Sequence, residues 1–568
     1  MTAVAAVRRP GEEDEVYQQV LDPVSHSLGL TSIFAVMPLL ALFVLLGVVR
    51  MKAQWAALLS LGVAVVVALA VYGMPFGQAA DAAAEGAAFG FFPIMWIVIN
   101  ALWIFHITED TGYFAVLKRA FSLVSDDERV QVVMIAFCFG ALLEALAGFG
   151  TPVAICGIML VALGFQPIKA AAVALVADTA PVAFGAIAIP ITTLAQVTGL
   201  PKHDLSQMVG RQCPLLALLV PFILILMVDR RRGLREAWPA ALTAGLVFAS
   251  VQFATSNYIS PELTDILASL AASASLLALT RVWSPAGSGP PTAGRRRPAI
   301  AGADRADATL ERRIAAEEGR PLSRSDMLLA FAPYLIVVII LGACSLTAVT
   351  TQLDMVTTKF SWPGLHVLTV KGKTPTSELF KLNWLTAAGT QLLVAGLLTT
   401  VVLRVHPVRA LAIYGRTLRG LLWPIVTVCA VLAVAYVMNL SGQTITLGTW
   451  AAGAGGFFAF LSPIIGWFGT AVTGSDTSSN SLFGALQVAA AKESHLSAVL
   501  LAGANSSGGV LAKMVSPQNL AIGAAAVGLG GREGDIFRKV IGWSVLLVLI
   551  MALLALLQSS SVLSWMVP

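Results

Sequence analysis

The stretch WFGTAVTGSDTSSNSLFGALQ, residues 467–487, places a run of small polar side chains in the middle of an apolar region. Apolar segments fill most of the 568-residue chain, whose mean hydropathy is +0.83. Only 12% of its residues are charged, whereas soluble domains carry roughly 25%. Because lipid-facing surface tolerates few charges, this composition predicts a polytopic membrane protein.

Around that stretch, apolar runs recur that are long enough to cross a bilayer, which takes roughly 20 helical residues. We predict transmembrane helices at approximately 28–49, 55–73, 88–107, 170–197, 209–228, 238–255, 263–282, 327–350, 383–403, 420–441, 496–528 and 540–566. Two further apolar regions, 131–165 and 450–491, are each interrupted by a polar, glycine-rich patch. The predicted fold is therefore an all-α membrane protein of about 12 transmembrane helices plus two re-entrant hairpins.

The lysines and arginines predict the orientation. With the N-terminus outside, most of the 36 basic residues fall in cytoplasmic loops, as the positive-inside rule requires. Both termini then lie outside, and 351–382 is the longest external loop. The predicted organisation is an extracytoplasmic tail (1–27), a first membrane half (28–282), a flexible cytoplasmic linker (283–326) and a second membrane half (327–568).

Several classes of function are disfavoured by the composition. The net charge of +5 comes from short basic clusters between apolar runs, so we expect no nucleic-acid binding. The cysteines lie in or beside apolar runs without metal-ligand spacing, and we expect them to be inert packing residues. No HExxH or GxSxG motif is found in the sequence, so we expect no enzyme, catalytic residue, metal or cofactor.

The two halves share an order of landmarks: a proline within an apolar run, a glycine-rich break, and a polar residue that opens a second interruption. The landmarks are Pro93, Gly148 and Asp178 in the first half, and Pro424, Gly474 and Asn505 in the second. In the predicted topology the two proline runs cross the membrane in opposite directions. The pattern therefore favours inverted-topology repeats, the arrangement of many secondary transporters, over coincidence among glycine-rich segments.

The broken segments are candidate substrate sites, because unpaired backbone groups persist at membrane depth only inside protein or beside a water-filled cavity. In GFGTP (148–152), Gly148 and Gly150 permit close backbone approach and Thr151 offers a hydroxyl, although glycine and threonine also serve helix packing. The second tip offers five small polar side chains: Ser475, Thr477, Ser478, Ser479 and Asn480. Helix N-termini at such tips attract anions, so we expect them to bind a carboxylate.

Two further interruptions follow the hairpins. Asn505, Ser506 and Ser507 place polar groups inside a predicted span, and prolines interrupt both 178–193 and 505–519. We include the three polar residues in the candidate substrate site. A proline-kinked helix without ligand contact is the alternative.

Charges within predicted spans are the sharpest functional signal, because each costs at least a few kcal/mol at membrane depth. These are Glu144, Asp178, Asp476 and Lys513. We assign proton coupling to the three carboxylates, with Glu144 first because its apolar surroundings favour a neutral form, and anion binding to Lys513. A structural ion pair, such as Lys513 with Asp476, is the alternative. Arg211 either joins the substrate site or extends to the membrane surface.

The motifs FCFGALLEALAGFGTPVAI (137–155), DTAPVAFGAIAIPI (178–191), MVGRQ (208–212), WFGTAVTGSDTSSNSLFGALQ (467–487) and KMVSPQNLAIGAAAVGLGG (513–531) resemble those of the bacterial lactate permease family. The resemblance covers nearly the whole chain and implies proton-coupled uptake of L-lactate, often also of D-lactate and glycolate. The resemblance also implies which positions are functional: Glu144, the GFGTP tip, Arg211, the GSDTSSN tip and Lys513.

We therefore expect a transporter in the inner (plasma) membrane that takes up a small monocarboxylate with protons by alternating access. A sodium-coupled di- or tricarboxylate carrier and an uncoupled carboxylate channel are the alternatives. The expected partners are the substrate, protons and the lipid bilayer, while the oligomeric state stays open.

Overall fold

The computed structural model describes residues 16–122, 124–125, 127–148, 150–285, 323–375 and 378–568. Most of its regular structure is helical. The α-helices of the first half are Leu28–Ala35, Met37–Phe43, Ala53–Ala70, Phe76–Phe89, Trp96–Asp110, Tyr113–Ser122, Glu128–Val132, Gly140–Leu146, Thr151–Ala162, Pro167–Ala177, Gly185–Thr198, Lys202–Tyr258 and Thr264–Val282. Those of the second half are Arg324–Ser345, Thr347–Asp354, Ala388–Val402, Pro407–Ser441, Gln443–Ala451, Phe458–Thr473, Asp476–Glu493, Ala498–Gly509, Pro517–Ala526 and Glu533–Gln558.

In the described residues, eleven helical segments are long and apolar enough to span a membrane, or twelve if one bent pair counts as a single span. The predicted all-α membrane fold is therefore confirmed. The predicted runs 209–228 and 238–255 lie in the two helices of Lys202–Tyr258, which are separated by non-helical backbone at Asp229 and Arg230. A Cβ on Gly245 would lie 3.0 Å from the Leu218 carbonyl oxygen, so these two helices pack against each other.

Each hairpin turns at a glycine in the left-handed region. The first hairpin packs Glu128–Leu146 beside Thr151–Ala162, and its second helix follows Gly150 at φ +81°. The second hairpin packs Phe458–Thr473 beside Asp476–Glu493, with Gly474 at φ +78°. These φ values suit glycine because it has no Cβ to clash. In both hairpins, a helix N-terminus therefore lies at the tip.

Both predicted interruptions after the hairpins are also observed. The first broken helix comprises Pro167–Ala177 and Val182–Thr198, which are bent by 62°. The second broken helix runs from Ala498–Gly509 through a 3₁₀ segment, Val510–Val515, to Pro517–Ala526. Proline supplies no backbone N–H and restricts the residue before it, and extended Ser516 ends the 3₁₀ segment before Pro517.

The two halves repeat one order of elements: a long helix with an internal proline, a hairpin, a broken helix and a further long helix. Pro93 and Pro424 are the internal prolines. This repeated order agrees with the predicted duplication, while the inverted relation of the halves stays a prediction.

The N-terminal tail is packed against the rest of the fold from residue 16 onward. Strand Tyr17–Gln18 pairs in parallel with Val367–Leu368, and the Tyr17 hydroxyl donates to the Ser441 carbonyl at 2.8 Å. In the 351–382 loop, Thr358–Ser361 pairs antiparallel with Leu379–Leu382. The tail and this loop therefore lie together, as two segments on one side of a membrane would.

The predicted linker 283–326 stays a prediction, because residues 286–322 lie outside the described part, as do the first 15 residues of the predicted tail. Helix Arg324–Ser345 begins within the last residues of that range. The Ser323 side chain caps this helix by accepting from the Ser325 N–H.

Contacts between helix ends follow the predicted sides. Arg409 Nε lies 2.6 Å from Asp110 Oδ2, and Arg129 Nη1 lies 2.6 Å from Glu236 Oε2; both pairs join predicted cytoplasmic ends. At predicted external ends, Lys202 pairs with Glu262. The contacts thus agree with the predicted alternation of spans, and the absolute orientation stays a prediction.

Candidate functional site

Three interrupted elements meet at a buried ion cluster, which consists of Glu144, Asp178 and Lys513. Lys513 Nζ lies 2.6 Å from Glu144 Oε1 and 3.0 Å from Asp178 Oδ2. All three side chains are buried: Lys513 is 5% exposed, Glu144 is 4% exposed and Asp178 is 3% exposed. Glu144 precedes the first hairpin tip, Asp178 lies at the bend of the first broken helix, and Lys513 lies in the 3₁₀ segment of the second. The sequence alternative that paired Lys513 with Asp476 named the wrong partner.

The ion cluster has an excess of carboxylates. One ammonium faces two carboxylates, and Glu144 Oε2 and Asp178 Oδ1 have no hydrogen-bond partner among the described residues. A buried carboxylate without full compensation is costly. A proton or a change of partner at Lys513 would therefore alter the energy of the whole cluster.

The backbone of the first broken helix packs closely against Glu144 of the ion cluster. A Cβ on Gly185 would lie only 2.8 Å from Glu144 Oε1, so a side chain there would displace the carboxylate. Ala186, Ile187 and Ala188, which follow, all have positive φ. Such backbone is strained for residues other than glycine and persists only where the surrounding structure imposes it.

Asn519, in the last segment of the second broken helix, lies between the two hairpin tips. Its Nδ2 donates to the Gly474 carbonyl at 3.2 Å. A Cβ on Gly150 would lie 3.3 Å from Asn519 Oδ1 and 2.6 Å from Ile522 Cδ1. The structure therefore brings both predicted tips to one helix segment. Sequence reasoning did not single out Asn519, although its polar stretch SPQN was within a recognised interruption.

A second polar cluster joins the second hairpin to the second broken helix. Asp476 Oδ2 accepts from Ser506 Oγ at 2.7 Å and from Asn480 Nδ2 at 3.3 Å. Asn505 Nδ2 donates to Asn480 Oδ1 at 2.9 Å, and Asn480 Nδ2 also approaches the Pro190 carbonyl at 3.3 Å. Four predicted site residues thus form one buried network, which also contacts the first broken helix.

Other predicted residues have structural contacts. Ser475 caps its helix by accepting from the Ser478 N–H at 3.3 Å, and Ser479 Oγ donates to the Gly466 carbonyl at 2.9 Å. Ser507 accepts from the Cys213 thiol at 3.7 Å. Thr151 and Thr477, each in the first turn after a tip, are partly exposed.

Arg211 is not brought into the ion cluster. Its Nε donates to Asn257 Oδ1 at 3.0 Å and its Nη1 to the Met566 carbonyl at 3.1 Å. These contacts tie the C-terminal segment to the predicted outer ends of the two helices in Lys202–Tyr258. They favour the alternative in which Arg211 extends toward the membrane surface.

Sequence reasoning missed Asp265, a buried carboxylate near the site. Asp265 is 1% exposed and accepts from Gln252 Nε2 at 3.1 Å. Gln252 Nε2 also approaches the Ala180 carbonyl, at the bend of the first broken helix, at 3.4 Å. The signal was available, because Asp265 is a charge inside the predicted span 263–282.

Within the residues that the structure describes, no group of three or more histidine, cysteine, aspartate or glutamate side chains is placed to hold a metal ion. The described cysteines are unpaired: Cys138, Cys156 and Cys213 are buried, whereas Cys344 and Cys429 are partly exposed.

Long apolar helices, two hairpins and buried charges at helix breaks define a multi-pass membrane protein of the transporter class. The chain belongs to the L-lactate permease family, whose model matches residues 31–562.

Relatives match over almost their full length. The chain is 39% identical to the glycolate permease GlcA of Escherichia coli K12, with 94% of this chain and 96% of the relative covered. It is 38% identical to the L-lactate permeases of Bacillus subtilis and E. coli K12, with 97% of this chain and 100% of each relative covered. Among solved structures, MtrF of Neisseria gonorrhoeae has a TM-score of 0.46 at 13% identity, with 94% of each chain covered, too distant a likeness to support an inference.

Proposed function

We propose that the protein takes up L-lactate, and also D-lactate and glycolate, together with protons across the plasma membrane by alternating access. The names of the relatives support the substrate class, since they are L-lactate and glycolate permeases. The observation that carries the proposal is the buried position of Lys513 between Glu144 and Asp178.

The substrate anion binds near Lys513 and the hairpin tips. A single buried ammonium suits a monoanion, and the helix N-termini at Gly150 and Ser475 add N–H donors and partial positive charge. The partly exposed Thr151 and Thr477 hydroxyls supply hydrogen bonds for a 2-hydroxyl group. This combination of one charge and several neutral donors favours small 2-hydroxymonocarboxylates over dianions.

Proton coupling follows from competition for Lys513. When Glu144 is ionised, it is the nearest partner of Lys513. A proton on Glu144 removes that charge, so the carboxylate of the substrate replaces Glu144 as the second anionic partner of Lys513 beside Asp178. Proton and substrate therefore favour each other's binding, which is the thermodynamic requirement for symport.

Alternating access uses the broken helices as hinges. The ion cluster joins the first hairpin to both broken helices, so a change of its partners alters their relative position. Inverted repeats provide two nearly equivalent arrangements, one open to each side, around a fixed central site.

Counterflow in proteoliposomes tests the substrate assignment. We expect unlabelled internal L-lactate to drive uptake of labelled external L-lactate, and external D-lactate and glycolate to compete more strongly than succinate. A sodium-coupled carrier of di- or tricarboxylates would show strong competition by succinate and a requirement for sodium. An uncoupled channel would equilibrate the label without transient overshoot. Either pattern would contradict the proposal.

A further inference from the structure

Asp265 is a buried carboxylate outside the ion cluster of Glu144, Asp178 and Lys513. It is the second residue of helix Thr264–Val282 and is 1% exposed. Its Oδ1 accepts from Gln252 Nε2, whereas its Oδ2 has no hydrogen-bond partner in the described part of the chain. Among the described residues, the titratable groups that interact with it include Glu144 and the Cys213 thiol, and neither of these is a cation.

The position of Asp265 relates it to both the outer surface and the ion cluster. It follows closely after Glu262, whose ion pair with Lys202 is partly exposed at a predicted external end. On the other side, helix Thr264–Val282 packs against helix Gly140–Leu146, which carries Glu144. Asp265 therefore lies three positions after an ion pair at a predicted external end, on a helix that packs against the helix of Glu144.

The side-chain amide of Gln252 can hydrogen-bond to Asp265 whether Asp265 is ionised or protonated. Its Nε2 donates to Asp265 Oδ1 and to the Ala180 carbonyl, while its Oε1 has no partner among the described residues. An ionised Asp265 accepts the amide N–H. A protonated Asp265 offers an O–H, which the amide oxygen accepts after a half-turn of the side-chain amide.

We propose that Asp265 is a second proton-binding residue, on the outer side of Glu144, and that it passes protons from the outer water to Glu144 during uptake. This inference rests on the proposed function. A buried carboxylate with one neutral donor and, among the described residues, no cation beside it is costly, whereas the neutral acid is tolerated. Asp265 gives its proton to ionised Glu144 and regains one from outside, so one proton enters for each one passed on.

Transport in proteoliposomes, acidic outside, tests the relay with Asp265→Asn. We expect the initial rate of proton-driven L-lactate accumulation to fall by about tenfold or more. The final accumulation ratio and lactate–lactate exchange should stay near those of the wild type, because Glu144 still carries the coupled proton. Asp265→Glu should restore part of the rate. Ser269→Ala is the matched control, since Ser269 is buried on the same helix and its hydroxyl donates to the Ile266 carbonyl.

An unchanged initial rate in Asp265→Asn would overturn the relay, and so would an equal loss of exchange and accumulation, which would indicate a structural role. Infrared spectroscopy of the purified protein provides a readout independent of transport. The difference spectrum of wild type minus Asp265→Asn at neutral pH should contain the carbonyl absorption of one protonated, buried carboxyl; a difference spectrum without that band contradicts the proposal. If the wild type itself fails to accumulate lactate, the proposed function fails, and the infrared comparison still decides whether Asp265 holds a proton.

Discussion

Lys513 and Arg211 are the two cations that the sequence connects with the substrate site, and the structure separates them. Lys513 is buried beside two carboxylates, whereas Arg211 contacts Asn257 and the Met566 carbonyl. We predict that Lys513→Ala weakens L-lactate binding by roughly 2–5 kcal/mol, because truncation removes a buried cation that faces the substrate carboxylate. Arg211→Ala should have a much smaller effect.

Isothermal titration of each purified variant in detergent measures this difference. Thermal unfolding of the same samples reports whether Lys513→Ala still folds with two unpaired carboxylates. Unchanged lactate affinity in a folded Lys513→Ala variant would mean that Lys513 is structural and that the helix N-termini bind the anion alone.

Glu144 is the carboxylate whose protonation we couple to transport. Glu144→Gln mimics the protonated state, so it should retain lactate–lactate exchange while losing accumulation driven by a pH gradient. Both activities are measured in the same proteoliposomes, with Ser269→Ala as the control for a buried polar substitution. Accumulation by the glutamine variant would transfer the role of proton carrier to Asp476 or Asp178.

The charges of the site could be predicted from the sequence, but their partners could not. Glu144, Asp178 and Lys513 are recognisable because each is a charge inside an apolar run, which is costly. The Lys513–Glu144 contact spans 369 positions, and no local pattern encodes which carboxylate meets the lysine. Asp476 was for that reason an equally reasonable partner, although it hydrogen-bonds Ser506 and Asn480 instead.

At the scale of elements, the proposed substrate site depends on contact between the first hairpin tip and the second broken helix. A methyl group at Gly150 would meet Ile522 Cδ1 at 2.6 Å, and the φ of +81° adds strain. We predict that Gly150→Ala destabilises the protein by about 1–3 kcal/mol and clearly weakens lactate binding, because the tip must move away from Asn519.

Gly164→Ala provides the matched control. Gly164 also has a positive φ, +98°, yet nothing lies within 4 Å of the added methyl group. Backbone strain should therefore lower the thermal stability of Gly164→Ala as well, whereas its lactate affinity should be unchanged. Equal lactate affinities in the two variants would show that contact between this tip and the second broken helix does not matter for binding.

The interruptions themselves could be predicted, because proline and glycine disturb helices through local chemistry. The sequence does not reveal the left-handed backbone at Ala186, Ile187 and Ala188, since alanine and isoleucine have no local preference for positive φ. That conformation depends on distant packing around Glu144. The contact of both tips with Asn519 is likewise a property of tertiary structure.

At the scale of the whole molecule, the orientation of the protein in the membrane decides from which side each hairpin enters. We predict that residue 371 lies outside and residue 325 inside. Single cysteines at Lys371 and Ser325, in a background without Cys344 and Cys429, test this with an impermeant thiol reagent. Lys371→Cys should react in intact cells, whereas Ser325→Cys should react only after permeabilisation. The reverse pattern would invert the orientation assigned to every span.

Accumulation of L-lactate against its gradient, driven by an imposed pH difference, tests the central claim most directly. Proteoliposomes of the wild-type protein, acidic outside and without sodium, should accumulate labelled L-lactate well above the external concentration. Collapse of the pH difference with a protonophore should release it. Equilibration without accumulation would contradict proton-coupled uptake, and accumulation that requires sodium rather than the pH difference would assign the coupling to a different ion.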